Sequence, residues 1–393
     1  MRRVYSLKCP HAACFHGETS ALIAAADENV FTTHHYLNHS ENQVVADVLR
    51  AGTDVDCHQY GPNFVATHAA AALGNGTITE SDIDARLRMQ YKMRIRMGHF
   101  DPPGPLDAIT ENETLCTEEA IAISMQGAIQ SVALFKNLNR ERQDGAPATV
   151  LPLDPVMVGT VAVIGPLTNY SEQDTGYYGP HDCCGRNYWN VIDAVAKYAQ
   201  PGKVVSTLGV PTAVSTNTSG ISAAVQMAGS ADTVVLAIGT DLTWAAEGHD
   251  ATNISLTDAQ LQLVQQTAAV AKQPVVVVLL TATPLDLTPL LENPKVGAIL
   301  HTGQLSVTML AVAEVLYGKV SPAGRAVQTF YPSSYQDQIS IFDFSMRPGV
   351  SSFVRPDCVT PNGTGCPMGT NPGRTHRFYT GKAVIPFGYG LVR

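Results

Sequence analysis

The sequence predicts an α/β protein of two domains, of which the second contains a mostly parallel sheet. Three observations lead to this class. The length of 393 residues exceeds what one hydrophobic core usually organises. Apolar β-branched runs alternate with helical patterns through the second part of the chain, as in repeated strand, helix, strand units. A proline-rich stretch separates that part from the first hundred residues.

One helix in the first domain is well specified, over residues 79–98. Ser81 and Asp84 can form a capping box at its start, and apolar residues recur every four positions from Ile83. Gly98 supplies its end. The basic side chains between the apolar positions are expected to face solvent or the other domain.

Residues 101–120 are predicted to link the two domains. Three prolines among Pro102 to Pro105 remove backbone donors and fix φ, so no helix can continue through them. We therefore assign residues 1–100 to the first domain and residues 121–393 to the second.

Six strands are predicted in the second domain. Each is short, apolar and rich in β-branched residues, which is typical of strands buried on both faces of a sheet. They cover residues 132–135, 161–164, 204–208, 233–238, 274–280 and 296–300. A mostly parallel sheet follows, and its ligand crevice should lie beyond the carboxyl ends of the strands.

A crossover helix is predicted between the fourth and fifth of these strands. Thr257 and Gln260 can close a capping box at its start. Leu261, Val264 and Ala268 continue as one apolar stripe. This helix should pack against the sheet and return the chain to the amino end of the next strand.

Composition narrows the class of protein. Apolar residues make up 45%, charged residues 15%, and the net charge is −9. An acidic chain without a Walker loop or zinc ribbon is not typical of nucleic-acid-binding proteins. No run of eighteen apolar residues is long enough to span a membrane. We predict neither a nucleic-acid partner nor a membrane span.

Two features, the cysteine pairs and the glycosylation sequons, predict a glycoprotein in an oxidising compartment, either extracellular or in the secretory pathway. Eight cysteines include the adjacent Cys183 and Cys184 and the close pair Cys358 and Cys366, which suits disulfides, although scattered buried thiols are an alternative. The first sixteen residues contain no apolar stretch typical of a signal peptide, which leaves two alternatives, a cytosolic chain or a fragment whose start lies upstream. Seven Asn-X-Ser/Thr sequons occur, at Asn38, Asn75, Asn112, Asn169, Asn217, Asn253 and Asn362.

The loop after the fourth predicted strand concentrates the residues that could carry chemistry. It reads GTDLTWAAEGHD over residues 239–250, with three acids, a tryptophan and a histidine. Apolar surroundings raise the pKa of a carboxyl group until it can protonate a leaving oxygen near neutral pH, as sugar hydrolysis requires. A loop that only caps the next helix is the alternative.

Histidines in the first domain suggest a metal site at first sight. They are His34, His35, His39, His58 and His68. No pair of them has ligand spacing with a third donor nearby. We predict no metal and no cofactor.

Ten short stretches follow one another along the chain in a recognisable order. They are AGTDVDC at 51–57, MGHFDPP at 97–103, SVALFKN at 131–137, LPL at 151–153, AVIGP at 162–166, AEGHD at 246–250, SPAGR at 321–325, MRP at 346–348, GRTHRFY at 373–379 and PFGYGL at 386–391. Their order resembles that of the plant and fungal beta-xylosidases of glycoside hydrolase family 3. The chain is identified on this basis as an N-terminally truncated member of that family.

The resemblance implies a fold and a set of site residues. Members of the family pair a (β/α)8-type barrel, which supplies an Asp nucleophile, with an α/β sandwich domain that supplies a Glu acid/base. Glu247 matches the acid/base, and Trp244, His249 and Asp250 are expected to bind substrate. Anchoring on the following motif places Ala26 at the nucleophile position, and a shift of one residue brings Asp27 there, which makes Asp27 the candidate nucleophile.

Residues 1–100 resemble only the last strands and helices of that barrel. So few strands cannot close a barrel of eight. The remnant should expose sheet edges and apolar faces that a second copy or a partner chain would cover. The expected architecture is a partial (β/α)8-type barrel followed by a complete α/β sandwich domain.

The function that the resemblance implies is that of an exo-acting beta-glycosidase. It would hydrolyse beta-xylosidic bonds at the non-reducing ends of xylo-oligosaccharides, as in xylan breakdown, with retention of configuration and two carboxyl groups about 5 Å apart. The alternative is a catalytically inactive family 3 fragment that serves glycan binding or subunit assembly. Glu247 favours the first interpretation, and the displaced nucleophile favours the second.

Overall fold

The computed structural model describes most of the second domain and part of the first. The described residues are 25–27, 39–57, 64–110, 117–141, 147–170, 189–246, 249, 251–303, 309–340, 343–351, 353–359 and 365–392. Within them, no helix combines the length and apolar character needed to cross a bilayer. The chain divides into two compact units, Met1–Thr110 and Glu111–Arg393, and the division falls inside the predicted linker.

The described part of the first unit contains two short parallel strands and three α-helices. They are β1 (Ala25–Asp27), α1 (Glu41–Ala51), β2 (Val55–Cys57), α2 (Phe64–Gly74) and α3 (Glu80–Arg96). Strand β1 pairs with β2 so that Ala25 lies opposite Val55 and Asp27 opposite Cys57. A small core joins helices α1 and α2 through apolar residues that include Val45 and Ala72.

Helix α3 is the helix predicted over residues 79–98, with a different cap. The capping box is formed by Thr79 and Asp82, two residues earlier than predicted, because the Thr79 backbone is extended and its hydroxyl accepts the Asp82 amide. The Asp82 carboxylate accepts the Thr79 amide in return, at 2.9 Å. Gly98, at φ +76°, lies just beyond its end as predicted. Two side chains of the apolar stripe, Leu87 and Tyr91, are 41% and 48% exposed.

The second unit is built on a six-stranded sheet in the order β3-β10-β9-β8-β6-β7. Strand β3 is antiparallel to β10, and the other five strands are parallel to one another, which confirms the mostly parallel sheet. The strands are β3 (Ala133–Asn137), β6 (Val161–Ile164), β7 (Val204–Thr207), β8 (Thr233–Gly239), β9 (Val275–Leu280) and β10 (Val296–His301). All six predicted strands therefore form, within two residues at each end.

One strand differs from the prediction in its surroundings. Strands β6 and β9 are buried along their whole length, as expected of strands covered on both faces. Strand β7 has no fully buried residue, because it lies at the edge of the sheet. The β-branched pattern identifies a strand but does not distinguish an edge from a centre.

Helices cover both faces of the sheet. One core, on the face that contains Leu236 and Val277, includes α6 and α7, and a second, on the face that contains Val235 and Val278, includes α5 and α9. The predicted crossover helix is α7. The α-helices in the described part of this unit are α4 (Glu118–Ser131), α5 (Val191–Ala196), α6 (Ile221–Ser230), α7 (Asp258–Val270), α8 (Thr288–Glu292), α9 (Leu310–Leu316) and α10 (Thr375–Phe378).

Short antiparallel pairs complete the second unit outside the main sheet. They are β4 (Asn139–Glu141) with β5 (Pro147–Thr149), β11 (Gly349–Val350) with β14 (Thr370–Asn371), and β12 (Val354–Val359) with β13 (Gly365–Pro367). The C-terminal tail is attached to the sheet, since the Leu391 amide donates to the Leu134 carbonyl at 2.8 Å.

Candidate functional site

The strand order has one reversal, between β6 and β8. The chain adds β7 on one side of β6 and then crosses back to add β8 on the other side. Loops that leave neighbouring parallel strands in opposite directions open a crevice at their carboxyl ends, and open α/β sheets bind ligands there. The loop predicted to carry chemistry, residues 240–250, follows β8 and therefore begins at this crevice.

A glycine that no other residue could replace without strain lies at the carboxyl end of both strands at the reversal: Gly165 directly follows β6, and Gly239 is the last residue of β8. Gly165 and Gly239 have φ of +136° and +141°. A Cβ atom on Gly165 would lie 2.1 Å from the Ala237 carbonyl oxygen, and one on Gly239 would lie 1.9 Å from that of Leu280. The two loops therefore leave the sheet in close contact with the backbone of the neighbouring strand.

Asp241 folds the first turn of the loop after β8. Its carboxylate accepts the Thr243 amide at 3.0 Å and also the Thr243 hydroxyl. The Asp241 carbonyl accepts the Trp244 amide at 3.0 Å. The side chain of Asp241 is buried, at 6% exposure. Of the three acids in the loop, this one has a structural role, as in the Asx turns that Asp commonly forms.

The second half of the loop is closed by a pair of backbone hydrogen bonds. Ala246 and His249 each donate an amide to the other's carbonyl, at 2.9 and 3.0 Å. The two residues between them in the sequence are Glu247 and Gly248, which lie outside the described residues, as does Asp250. The residues that flank Glu247 and Gly248 in the sequence are thus hydrogen-bonded to each other.

Two predicted substrate-binding residues are described in this loop. Trp244 is partly buried and packs against the core on the α7 side of the sheet. His249 is exposed. The imidazole of His249 is therefore accessible to solvent, whereas the indole of Trp244 is held against the core.

Gln260 holds the start of this loop, which the sequence did not predict. Its side chain is fully buried, and its Oε1 accepts the Gly239 amide at 3.0 Å. Its Nε2 donates to the carbonyls of Gly239 at 3.0 Å and Ala213 at 2.7 Å. The predicted capping box is therefore only half formed: Thr257 caps α7 by accepting the Gln260 amide at 3.3 Å, but the Gln260 side chain is engaged elsewhere.

His301, at the carboxyl end of β10, is a second polar residue that the sequence analysis missed. Its Nε2 lies 3.0 Å from the Thr281 hydroxyl. The ring stacks on Phe135 at 5.3 Å and meets Phe330 edge-on at 5.4 Å. Burial lowers the pKa of His301 from 6.5 to about 4, so the imidazole is neutral at physiological pH.

The candidate nucleophile belongs to the first unit. Asp27 is the last residue of β1, opposite Cys57 in the parallel pair, and its side chain lies outside the described residues.

Metal-binding side chains do not gather anywhere in the described part of the chain. His39 instead pairs with Asp47 at 2.7 Å, and His68 lies against the Phe64 ring at 4.7 Å. His34, His35 and His58 fall outside the described residues.

Comparison with known proteins adds a family and a set of relatives. The model of the glycosyl hydrolase family 3 C-terminal domain matches residues 132–391. Beta-D-xylosidase 1 of Arabidopsis thaliana is 31% identical over 363 residues, which cover 92% of this chain and 42% of that protein. An exo-1,4-beta-xylosidase of Aspergillus awamori is 32% identical over 388 residues, which cover 96% of this chain and 43% of that protein.

Solved structures show the same likeness. A GH3 exo-beta-xylosidase in complex with a xylobiose aziridine activity-based probe superposes with a TM-score of 0.76 at 28% identity, covering 95% of this chain and 44% of that one. A beta-glucosidase from Listeria innocua in complex with glucose shares the fold, with a TM-score of 0.69 at 20% identity over 99% of this chain and 49% of that one. The chain spans about two fifths of the length of the curated relatives it matches.

Proposed function

Because the chain belongs to glycoside hydrolase family 3, we propose that it acts in the exo-hydrolysis of β-linked sugars, with β-xylosides at the non-reducing ends of xylo-oligosaccharides as substrates. The observation that carries the proposal is the loop that begins at the crevice between β6 and β8 and holds Glu247 between two paired residues. The xylosidase names of the relatives support the choice of sugar.

Two carboxyl groups perform the proposed reaction. Asp27 attacks the anomeric carbon while Glu247 protonates the leaving oxygen, which gives a glycosyl ester on Asp27 and a free alcohol. Glu247 then removes a proton from water, which attacks the anomeric carbon and releases Asp27 and a sugar of retained configuration. Trp244, His249 and Asp250 contact the sugar in this proposal, and the reaction uses no cofactor.

The domain assignment is part of the same proposal. Residues 1–100 represent the last strands and helices of a barrel, and residues 121–393 represent the sandwich domain. The parallel pairing of β1 and β2 with α1 between them in sequence supports this, since each barrel step is a strand, helix, strand unit. Residues 101–110 are all exposed, so limited proteolysis should cut there first and leave a resistant fragment that contains residues 121–393. A first cut within the sheet of the second unit would contradict the assignment.

A second copy of the chain, or a partner chain, is proposed to cover the first unit. The exposed apolar side chains of α3 support this proposal: Leu87, Tyr91 and Ile95 are 41%, 48% and 63% exposed. Sedimentation equilibrium tests it, with self-association expected for the chain and weakened by Tyr91→Ser.

Turnover of aryl β-xyloside and β-glucoside by the purified chain tests the proposed activity. The Glu247→Gln and Asp27→Asn variants should lose on the order of 10²-fold or more in kcat, because each removes one of the two carboxyl groups. Asp258→Asn, at an exposed acid that begins α7, is the matched control and should keep full turnover. Equal turnover in all four proteins would exclude the two-carboxylate proposal.

Glycan binding without hydrolysis is the second candidate. The residue pattern that favours it is the direct register of the nucleophile motif, which places Ala26 rather than Asp27 at the reacting position. A chain that binds xylobiose in calorimetry, loses that binding in Trp244→Ala, and turns over no aryl glycoside would support this alternative.

A further inference from the structure

At the end of β8, the Gln260 side chain makes the backbone hydrogen bonds that a neighbouring strand would otherwise make. The pairing of β8 with β6 ends at Leu236, opposite Ile164, so β8 continues for three residues without β6 beside it. The amide of Leu167 reaches the Ala237 carbonyl at 3.2 Å. At Gly239, both backbone groups on the β6 side bond instead to the Gln260 carboxamide, at 3.0 Å each.

The other side of the same strand end is held by β9. The Thr240 amide donates to the Leu280 carbonyl at 2.9 Å. The last peptide of β8 is therefore bonded on both sides, by a strand on one and by a side chain on the other. Without Gln260, the Gly239 N–H and C=O would be left without these partners in a buried place, at a residue with the conformational freedom of glycine.

The carboxamide also connects a second loop to the first. The second Nε2 proton of Gln260 goes to the Ala213 carbonyl, in the loop that follows β7, at 2.7 Å. Gln260 itself is fixed, since it is fully buried on the packed face of α7. One rigid side chain thus sets the position of two loops at the carboxyl edge of the sheet.

We propose that Gln260 is a positioning residue for general acid catalysis, acting through the loop that carries Glu247. This rests on the proposed function. In this proposal Gln260 does not contact the sugar. Its carboxamide fixes the direction in which residues 240–246 leave the sheet, and through them it sets the approach of Glu247 to the leaving oxygen. An acid that must meet one oxygen within hydrogen-bond reach tolerates little displacement.

Leaving-group dependence separates this role from a merely structural one. Dinitrophenolate is a stable anion, so it leaves from its xyloside without being protonated. The leaving groups of a methoxyphenyl xyloside and of xylobiose are more basic and need a proton from the general acid. In Gln260→Leu we expect kcat/KM for the poor leaving group to fall about 10-fold to 100-fold, within the range that general acid catalysis contributes. The kcat/KM for the dinitrophenyl xyloside should fall by less than about threefold, because its leaving group does not need the general acid. Gln260→Glu keeps the shape and the acceptor and should show a weaker form of the same pattern.

Two controls keep the result interpretable. Gln262→Leu, on the exposed side of the same helix, should leave both rates unchanged. Glu247→Gln should show the leaving-group pattern at full strength. Thermal unfolding establishes that the Gln260 variants are folded at the assay temperature, and Gln260→Glu serves if Gln260→Leu is not.

Each outcome decides between the two proposals. Selective loss on the poor leaving group supports the positioning role. Equal losses on both aryl xylosides in a folded variant, or no loss at all, overturn it while leaving the activity proposal intact. A wild-type chain without turnover on either substrate overturns the proposed activity and this role together.

Discussion

The wild-type protein should lose stability as the pH falls from about 6.5 to 4, and replacing His301 with phenylalanine should abolish this loss. The imidazole stacks on Phe135, meets Phe330 edge-on and bonds to Thr281. Burial lowers the pKa of His301 from 6.5 to about 4. The unfolded chain therefore binds a proton in this pH range that the folded protein excludes.

The sign and size of the effect follow from that difference. Because the pKa of His301 is lower in the folded state, its titration does not change the free energy of unfolding above pH 6.5. As the pH falls below 6.5, protonation of the unfolded chain lowers the free energy of unfolding, and this loss is complete below about pH 4. The gap between 6.5 and about 4, at roughly 1.4 kcal/mol for each pH unit, gives about 3 kcal/mol at its limit. At pH 4.5 roughly 2.5 kcal/mol of that is already lost.

Urea unfolding followed by tryptophan fluorescence measures this difference at pH 7 and pH 4.5. Both tryptophans of the chain, Trp189 and Trp244, belong to the second unit, so the signal reports on the unit that contains His301. Thr281→Val is the matched control, since it removes the same hydrogen bond and keeps the titrating ring. If His301→Phe loses as much free energy of unfolding between the two pH values as Thr281→Val does, the reasoning is refuted.

Three further predictions concern single residues or sequence motifs. Lys136→Met should lower the free energy of unfolding by about 2 kcal/mol, because its buried ammonium donates to three carbonyls at the end of α8, at 3.2, 2.7 and 2.8 Å. The exposed Lys295→Met should cost less than about 0.5 kcal/mol by the same urea assay. Gly239→Ala should lower the free energy of unfolding by about 3 kcal/mol or more, because its Cβ would lie 1.9 Å from the Leu280 carbonyl oxygen. Its control, Gly229→Ala in α6, has no atom closer than 3.8 Å to the new Cβ and should be at least as stable as the wild type, since alanine favours a helix over glycine. Expression in a eukaryotic secretory host should give a glycoprotein whose mass falls on endoglycosidase treatment. In the described part of the chain, the sequons with exposed asparagines are Asn75, Asn169, Asn217 and Asn253, and changing these four to Gln should reduce that mass shift. An undiminished shift would contradict glycosylation at these sites.

Local sequence patterns were sufficient for the strands and for the loop, because the responsible interactions are local or repeated. Runs such as 161–164 and 275–280 contain enough β-branched residues to specify a strand. Strand β7 is also rich in β-branched residues, yet it lies at the edge of the sheet, because the order of the strands depends on tertiary packing and not on the sequence of one strand.

Capping shows a different kind of error. Thr79 with Asp82 and Ser81 with Asp84 have the same spacing and the same chemistry, so the sequence pattern fits both. The structure selects the first pair because the chain is still extended at Thr79. A shift of two residues at a helix end lies within the freedom that such patterns leave.

Gln260 and His301 escaped prediction because their partners are distant in sequence. The Gln260 carboxamide bonds to Gly239 and Ala213, and the His301 ring packs on Phe135. The sequence places Gln260 on an otherwise apolar helix face, four positions before Val264, and a polar residue at that position is also typical of a helix cap. Only the tertiary fold distinguishes a capping glutamine from one that is buried and bonded to distant loops.

Covalent trapping tests the central claim most directly. The chain would be incubated with a 2-fluoro-β-xyloside that carries a dinitrophenyl leaving group, digested, and analysed by mass spectrometry. The proposed mechanism predicts one fluoroxylosyl group on the peptide that contains Asp27, present in wild type and in Glu247→Gln and absent from Asp27→Asn. An adduct on another residue, or turnover of the aryl xyloside by a folded chain that never forms an adduct, would contradict it.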